Sequence, residues 1–144
     1  LLSPSWLYGT SVPAAFSEIY ADASLAPAGN QPGVRCKLRN WWQSPAISAI
    51  SKELYGNAEG SHATPSEISL TWYAYPEAVR SAPMEPEIAP TGGFTDAADY
   101  RSRFPDGRIG ANSALAKPEH GKRLYETAVA DIAAEYRKFV SEES

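Results

Sequence analysis

The residues best suited to chemistry lie in one run, Glu59-Gly60-Ser61-His62-Ala63-Thr64-Pro65-Ser66-Glu67. A histidine sits there in a small-residue loop, with acids on both sides. An imidazole so placed can move a proton, or polarise a carbonyl through its N–H. Glu67 can act as a base or a metal ligand if its carboxylate points into a site. Both residues also have plainer roles open to them. His62 can simply hydrogen-bond within its loop, and Glu67 occupies the N3 position of a Thr64-Pro65-Ser66-Glu67 capping box. Trp41-Trp42 offers two indoles that can stack on a planar substrate or, equally, pack in a core. Cys36 alternates with Val34 and Leu38 and reads as a buried apolar residue, not a nucleophile. His120, beside Glu119, reads as a surface residue. The sequence holds no Cys/His cluster, Gly-rich phosphate loop or nucleophile elbow.

Several elements must position these residues. Ser11 reads as an N-cap with Pro13 in the first turn. Val12, Phe16, Ile19, Tyr20 and Ala23 then share one helical face that ends before Pro27. Pro27 to Gly33 reads as a loop. Val34, Cys36 and Leu38 alternate with Arg35, Lys37 and Arg39, the clearest strand pattern in the chain, and Trp41-Trp42 closes it. In an open α/β sheet such a strand end faces the site. Ser44-Pro45 starts a short helix through Ile47, Ile50 and Leu54, with Gly56 at its C-terminal turn. Thr64-Pro65 starts the next, with Ile68, Thr71, Trp72 and Tyr75 on one face. Residues 76–117 show little periodicity and read as a long irregular region, a lid, a binding loop or an arm. Pro118 opens a long amphipathic helix with Tyr125, Ala128, Val129, Ile132, Ala133, Tyr136, Phe139 and Val140 on its apolar face. Helices around a strand indicate α/β architecture. One strand makes no sheet, so its partners are either missed in the long loop or absent from this sequence.

Composition sets outer limits. The 144 residues suit a single domain. Seventeen acids against thirteen basic residues give a net charge of −4, which argues against a nucleic-acid partner. The basic strand face Arg35/Lys37/Arg39 is too small to change that. No apolar run reaches the ~18 residues of a membrane span, so no membrane partner is expected. One cysteine excludes an internal disulfide. The opening residues make a poor signal peptide, and a cytoplasmic location is expected. Leu1 in place of Met leads to the expectation of a processed or truncated piece.

Four segments together resemble the creatininase (creatinine amidohydrolase-like) family. Gly33 to Trp42, GVRCKLRNWW, looks like the family's central strand with a Trp at its end. Gly60 to Leu70, GSHATPSEISL, resembles its G-x-H-A-G-x-x-E-T-S segment. Asp106 to Ala116, DGRIGANSALA, resembles its GVWGDPSLA-type stretch, and Glu119 to Val129, EHGKRLYETAV, resembles its closing helix. The match runs from about Val12 to Val140. It reads as the C-terminal part of one such domain across 1–144, with residues 1–11 atypical.

The resemblance implies a three-layer α/β/α fold, incomplete in this chain, and a homo-oligomer. It implies hydrolysis of an amide C–N bond in a small-molecule amide substrate, often cyclic. It also implies a pair of divalent metals, zinc or manganese, that activate water. Carried over by position, His62 matches the family's active-site histidine and Trp42 a tryptophan of the substrate pocket. Ser61 joins Trp42 in substrate binding, and Glu67 is the candidate metal ligand. Other ligands of the family, in an E-x-H segment, a nearby Asp and an N-G-H-G-G-N-type loop, have no counterpart here. Leu7 to Ser11 stands where that loop is due, and Pro65 and Ile68 replace a Glu and a Thr. The chain alone is therefore expected not to hold the metal pair and to be inactive. The competing reading is a non-catalytic truncated relative, an assembly or ligand-binding domain. A weaker third is an unrelated α/β module whose Trp-rich rim takes a planar ligand.

Overall fold

Helix-start chemistry organises the chain. The computed structural model describes residues 5–25 and 34–142, with side chains described from residue 11 onward. α1 runs Ser5–Leu25, α2 Pro45–Tyr55, α3 Pro65–Ala74, α4 Ala97–Arg103 and α5 Pro118–Ser141. At α2 the Ser44 hydroxyl accepts from the Ile47 N–H at 3.0 Å, Pro45 takes the first turn, and Gly56 follows the end at φ +54°. At α3 the capping box is complete: Thr64 Oγ1 accepts from the Glu67 N–H, and Glu67 Oε2 accepts from the Thr64 N–H. α1 begins earlier than Ser11 and carries Pro13 inside it. The loop expected over Pro27–Gly33 lies outside the described residues, as do residues 1–4 of the atypical start.

The strand expected over residues 34–42 does not form. Residues 34–40 take no regular structure, and Trp41–Gln43 is a 3-10 turn. The three-layer α/β/α architecture is corrected with it. Among the described residues there is no strand and no sheet, only an isolated antiparallel bridge between His62 and Ile109. The physical reason is pairing: alternation marks a segment able to enter a sheet, but a ladder needs a second edge. Here the basic side chains take the docking role instead. Arg39 and Lys37 meet Glu135 of α5 at 3.0 and 3.6 Å, and the Arg35 guanidinium lies 4.7 Å from the centre of the Phe139 ring. The basic face thus pairs with an acid of α5, while Leu38, expected on the apolar side, is exposed.

α3 and α5 form the central packing pair; α3 buries a face other than the expected one, and α5 fully buries only Ala128 of the face expected for it. α5 buries Gly121, Leu124 and Ala128, whereas Tyr125, Val129, Ile132, Tyr136 and Val140 are exposed. α3 buries Pro65, Ser66 and Ser69. The cause is close approach: a Cβ at Gly121 would stand 1.9 Å from the Ser69 carbonyl oxygen. Only small residues allow two helices so near each other. Ser69 is fully buried and its hydroxyl is used twice, with the Tyr55 hydroxyl and the Lys117 N–H, each at 3.0 Å. Ile47 and Ile50 of α2 join Leu124 and Ala128 in the core, with Trp41, Leu54 and Leu70 against it.

The long segment 76–117 is more ordered than its composition predicts. It contains α4, capped by Asp96, whose carboxylate accepts from the Ala98 and Asp99 N–H groups. Tyr100 of α4 packs with Phe94 and with the buried Phe104. Beyond α4, residues 106–113 run alongside the loop that carries His62.

Candidate functional site

The His62 loop is held by main-chain bonds. The Ser61 N–H donates to the Ile109 carbonyl at 2.9 Å, and the Ile109 N–H donates to the His62 carbonyl at 3.2 Å. The Asn112 N–H reaches the Ala58 carbonyl at 2.8 Å, and the Ser113 hydroxyl reaches the Ala63 carbonyl at 2.6 Å. Gly60 makes the register possible. At φ +69° it lies so close to residues 109–111 that a Cβ would meet the Ile109 oxygen at 2.4 Å. Ala63 turns the chain into α3 at φ +54°, a left-handed conformation that costs a non-glycine residue about 1–2 kcal/mol.

Residues 106–113 are in turn anchored by one arginine. Arg108 is 3% exposed. Its guanidinium donates to the carbonyls of Pro86 at 2.8 Å, Glu87 at 3.0 Å and Ala111 at 3.1 Å, and pairs with the Asp106 carboxylate at 2.8 Å. The buried charge is thereby fully hydrogen-bonded, the condition under which burial is tolerated.

This scaffold builds a cavity of about 540 Å³ between Trp41-Trp42, one side of α2, the 56–61 turn and the start of α3. Trp42, Ser61 and Glu67, three of the four expected site residues, all line it. Trp41 and Trp42 form one corner, their rings 5.9 Å apart and almost perpendicular. Lys52 and Glu59 complete its charged wall. His62 is not among the lining residues. It is buried, its ring lies edge-on to Tyr100 with centroids 6.1 Å apart, and neither ring nitrogen has a hydrogen-bond partner. Successive side chains of an extended segment point to opposite sides, so Ser61 toward the cavity puts His62 away from it. His120 is half-buried and edge-on to Tyr55, not a surface residue.

Glu59 is the residue that sequence reasoning passed over. Its Oε1 accepts a short hydrogen bond from the Ser66 hydroxyl, and its Oε2 is buried without a partner. Burial pushes this carboxyl above the ordinary carboxylate range; the Ser66 and Thr64 hydroxyls oppose the rise, and the Glu67 carboxylate adds to it. The only advance signal was its place three residues before His62, which turn residues often share. The folded state therefore holds the Glu59 proton more tightly than the unfolded chain does. Its contribution to stability is greatest below the unfolded carboxylate pKa and declines as pH rises through the folded value. Glu59→Gln is accordingly expected to raise the melting temperature at pH 8, with the gain shrinking toward pH 4. Thermal melts of both proteins across that range check this, and a destabilised variant at pH 8 would refute the assignment.

A family model described as creatinine amidohydrolase matches residues 9–136. The chain belongs to the creatininase family. No curated protein matches it. Membership makes it a creatinine amidohydrolase-like hydrolase at the level of the family, and such hydrolases act on small amides with divalent metal. The donor set here does not fit a metal pair. Among the described residues no three His, Cys, Asp or Glu side chains come together to hold an ion. Glu59 and Glu67 share the cavity wall, but His62 and His120 are elsewhere. No described helix is long and apolar enough to cross a membrane.

Proposed function

We propose that this creatininase-family chain supplies the substrate-binding corner of a metal-dependent amidohydrolase that cleaves the amide C–N bond of small amides, cyclic ones included. The observation that carries this reading is the convergence of Trp42 with Ser61 and Glu67 of the 59–67 run on one cavity. Each has a task there. The Trp42 indole stacks on the planar amide. The Ser61 hydroxyl donates or accepts at the substrate's polar edge. The Glu67 carboxylate, oriented by Thr64, forms part of the cavity's charged wall. His62, whose two nitrogens are buried and unpartnered, is held in reserve for the proton transfers, on the far side of the same loop.

The chain by itself is not expected to be a competent catalyst, because two carboxylates on a cavity wall are too few to bind zinc or manganese tightly. That donor set also favours the second reading, in which the isolated chain acts in assembly with further copies or in ligand binding. Equilibrium dialysis with zinc or manganese and an assay of creatinine hydrolysis test both points. The expected result is weak metal binding and no turnover from the isolated chain. Tight stoichiometric metal with amidase activity would sink that part of the proposal. In any longer, active form, His62→Ala should lower turnover sharply while metal content stays nearly intact. Loss of the metal as well would mean that His62 is a ligand instead.

A further inference from the structure

A second cavity, of about 390 Å³, shares no residue with the Trp42 cavity. It opens between α1, residues 35–39 and the C-terminal part of α5, and its volume falls within the ~300–1,000 Å³ of small-molecule sites. Phe16, Ile132, Tyr136 and Phe139 give it an apolar lining. Ile132 is 38% exposed and Tyr136 66%, so the fold leaves this surface uncovered. Apolar surface of this kind gains when a ligand takes it out of water.

The charged lining is unbalanced. Arg35, Lys37 and Arg39 share the cavity with one acid, Glu135. Arg35 is already committed: its guanidinium donates to the Phe139 carbonyl, near the C-terminus of α5, and lies over the Phe139 ring. Lys37 and Arg39 divide the single Glu135 carboxylate between them. Two cations on one acid leave a unit of positive charge uncompensated among the described residues, in a chain whose net charge is −4. Neither head group is sealed off. The Lys37 side chain is 48% exposed. Arg39 Nε is buried, but the terminal nitrogens hydrogen-bond no protein acceptor among the described residues and stay open to solvent.

We infer that this cavity is a binding site for a small arylalkyl carboxylate, whose carboxylate pairs with Lys37 and Arg39 and whose ring lies against Phe16, Ile132 and Tyr136. The inference is independent of the hydrolase reading. A carboxylate matches the edge of a guanidinium, and a charge-assisted bond is stronger than a neutral one. A bare inorganic anion would leave the apolar lining wet, and a neutral aryl compound would leave the excess charge unmet. Three of the four apolar groups are rings, which favours an aromatic body.

Cys36, the only cysteine of the chain, is half-buried and lines the same cavity, so its thiol reports on occupancy there. Alkylation of the intact chain by iodoacetamide at pH 8 is followed by mass while 3-phenylpropanoate is titrated in. The acid should protect Cys36 saturably. Its neutral amide, and acetate, which has the charge without the ring, should each need at least about tenfold more for half-protection. Lys37→Gln should raise the half-protecting concentration of the acid about tenfold and leave that of the amide unchanged. Glu135→Gln removes the competing acid and should lower it, a gain that unfolding cannot mimic. Equal protection by the acid and its amide, or by the acid and acetate, overturns the inference, as does a preference undiminished by Lys37→Gln. Absence of protection overturns it too. So does a thiol already unreactive in the free chain, which would mean that another copy covers the cavity.

Discussion

Arg108→Ala is expected to cost about 3–5 kcal/mol of stability, the range for removing one partner from a buried charged network. The number follows from what is left behind. The carbonyls of Pro86, Glu87 and Ala111 all lose their guanidinium donor at once. The vacated volume lies under the segment that pairs with the His62 loop, so the damage is not confined to one residue. Amide hydrogen exchange should report this, with the Ser61 and Ile109 N–H groups losing protection first. Arg108→Lys keeps the charge but not the planar fork, and should recover only part of the loss. Asp106→Asn serves as the control. Asp106 is 44% exposed and its exchange leaves the three carbonyl contacts of Arg108 in place, so the loss should be smaller, about 1.5–3 kcal/mol. Denaturant unfolding of the three variants checks the ranking, and an Arg108→Ala loss below that of Asp106→Asn would show that the network does not anchor the loop.

Gly121→Ala should lower stability by about 3 kcal/mol, against the usual direction for a helix glycine. In a free helix the exchange is favourable by about 1 kcal/mol. Here the new methyl would meet main chain and not a pliable side chain: the Ser69 carbonyl oxygen at 1.9 Å, its carbon at 2.4 Å and the Tyr73 Cβ at 2.9 Å. α3 and α5 must separate to admit it. Separation loosens the bonds from Ser69 to Tyr55 and to Lys117, which tie α2 and the start of α5 to α3. A fall in melting temperature of about 10 °C corresponds to that loss in a domain of this size. An unchanged or higher melting temperature would mean that the helices are not in contact at this point. Ser69→Ala, which removes the hydroxyl without adding bulk, should cost less, about 1–2 kcal/mol.

The helix starts at Ser44-Pro45, Thr64-Pro65 and Pro118 were legible in the sequence because a cap is settled by residues three or four apart. The same locality made the strand reading of residues 34–42 fail. Alternation of Val34, Cys36 and Leu38 with three basic residues describes a local conformation, and whether it joins a sheet depends on a second strand far away in sequence. The actual partners of that segment, Glu135 and Phe139, lie about a hundred residues on. The segment 76–117 looked featureless for a related reason. Its order comes from Arg108 and from hydrogen bonds to residues 58–63, not from any repeat of its own.

The site divides along the same line. Trp42, Ser61, His62 and Glu67 could be named from residue type, loop context and family resemblance. Which of them share a space could not, and nor could the part played by Glu59. Types and spacings determined the chemistry on offer, the helix boundaries and the family. Tertiary structure alone decided which faces of α3 and α5 are buried, that Ser61 and not His62 opens on the cavity, and that Glu59 stands there with an oxygen unpaired. The reason is the range of the forces involved. Capping and periodicity are fixed within one or two helical turns, whereas burial and proton affinity are set by whatever distant chain comes to lie alongside.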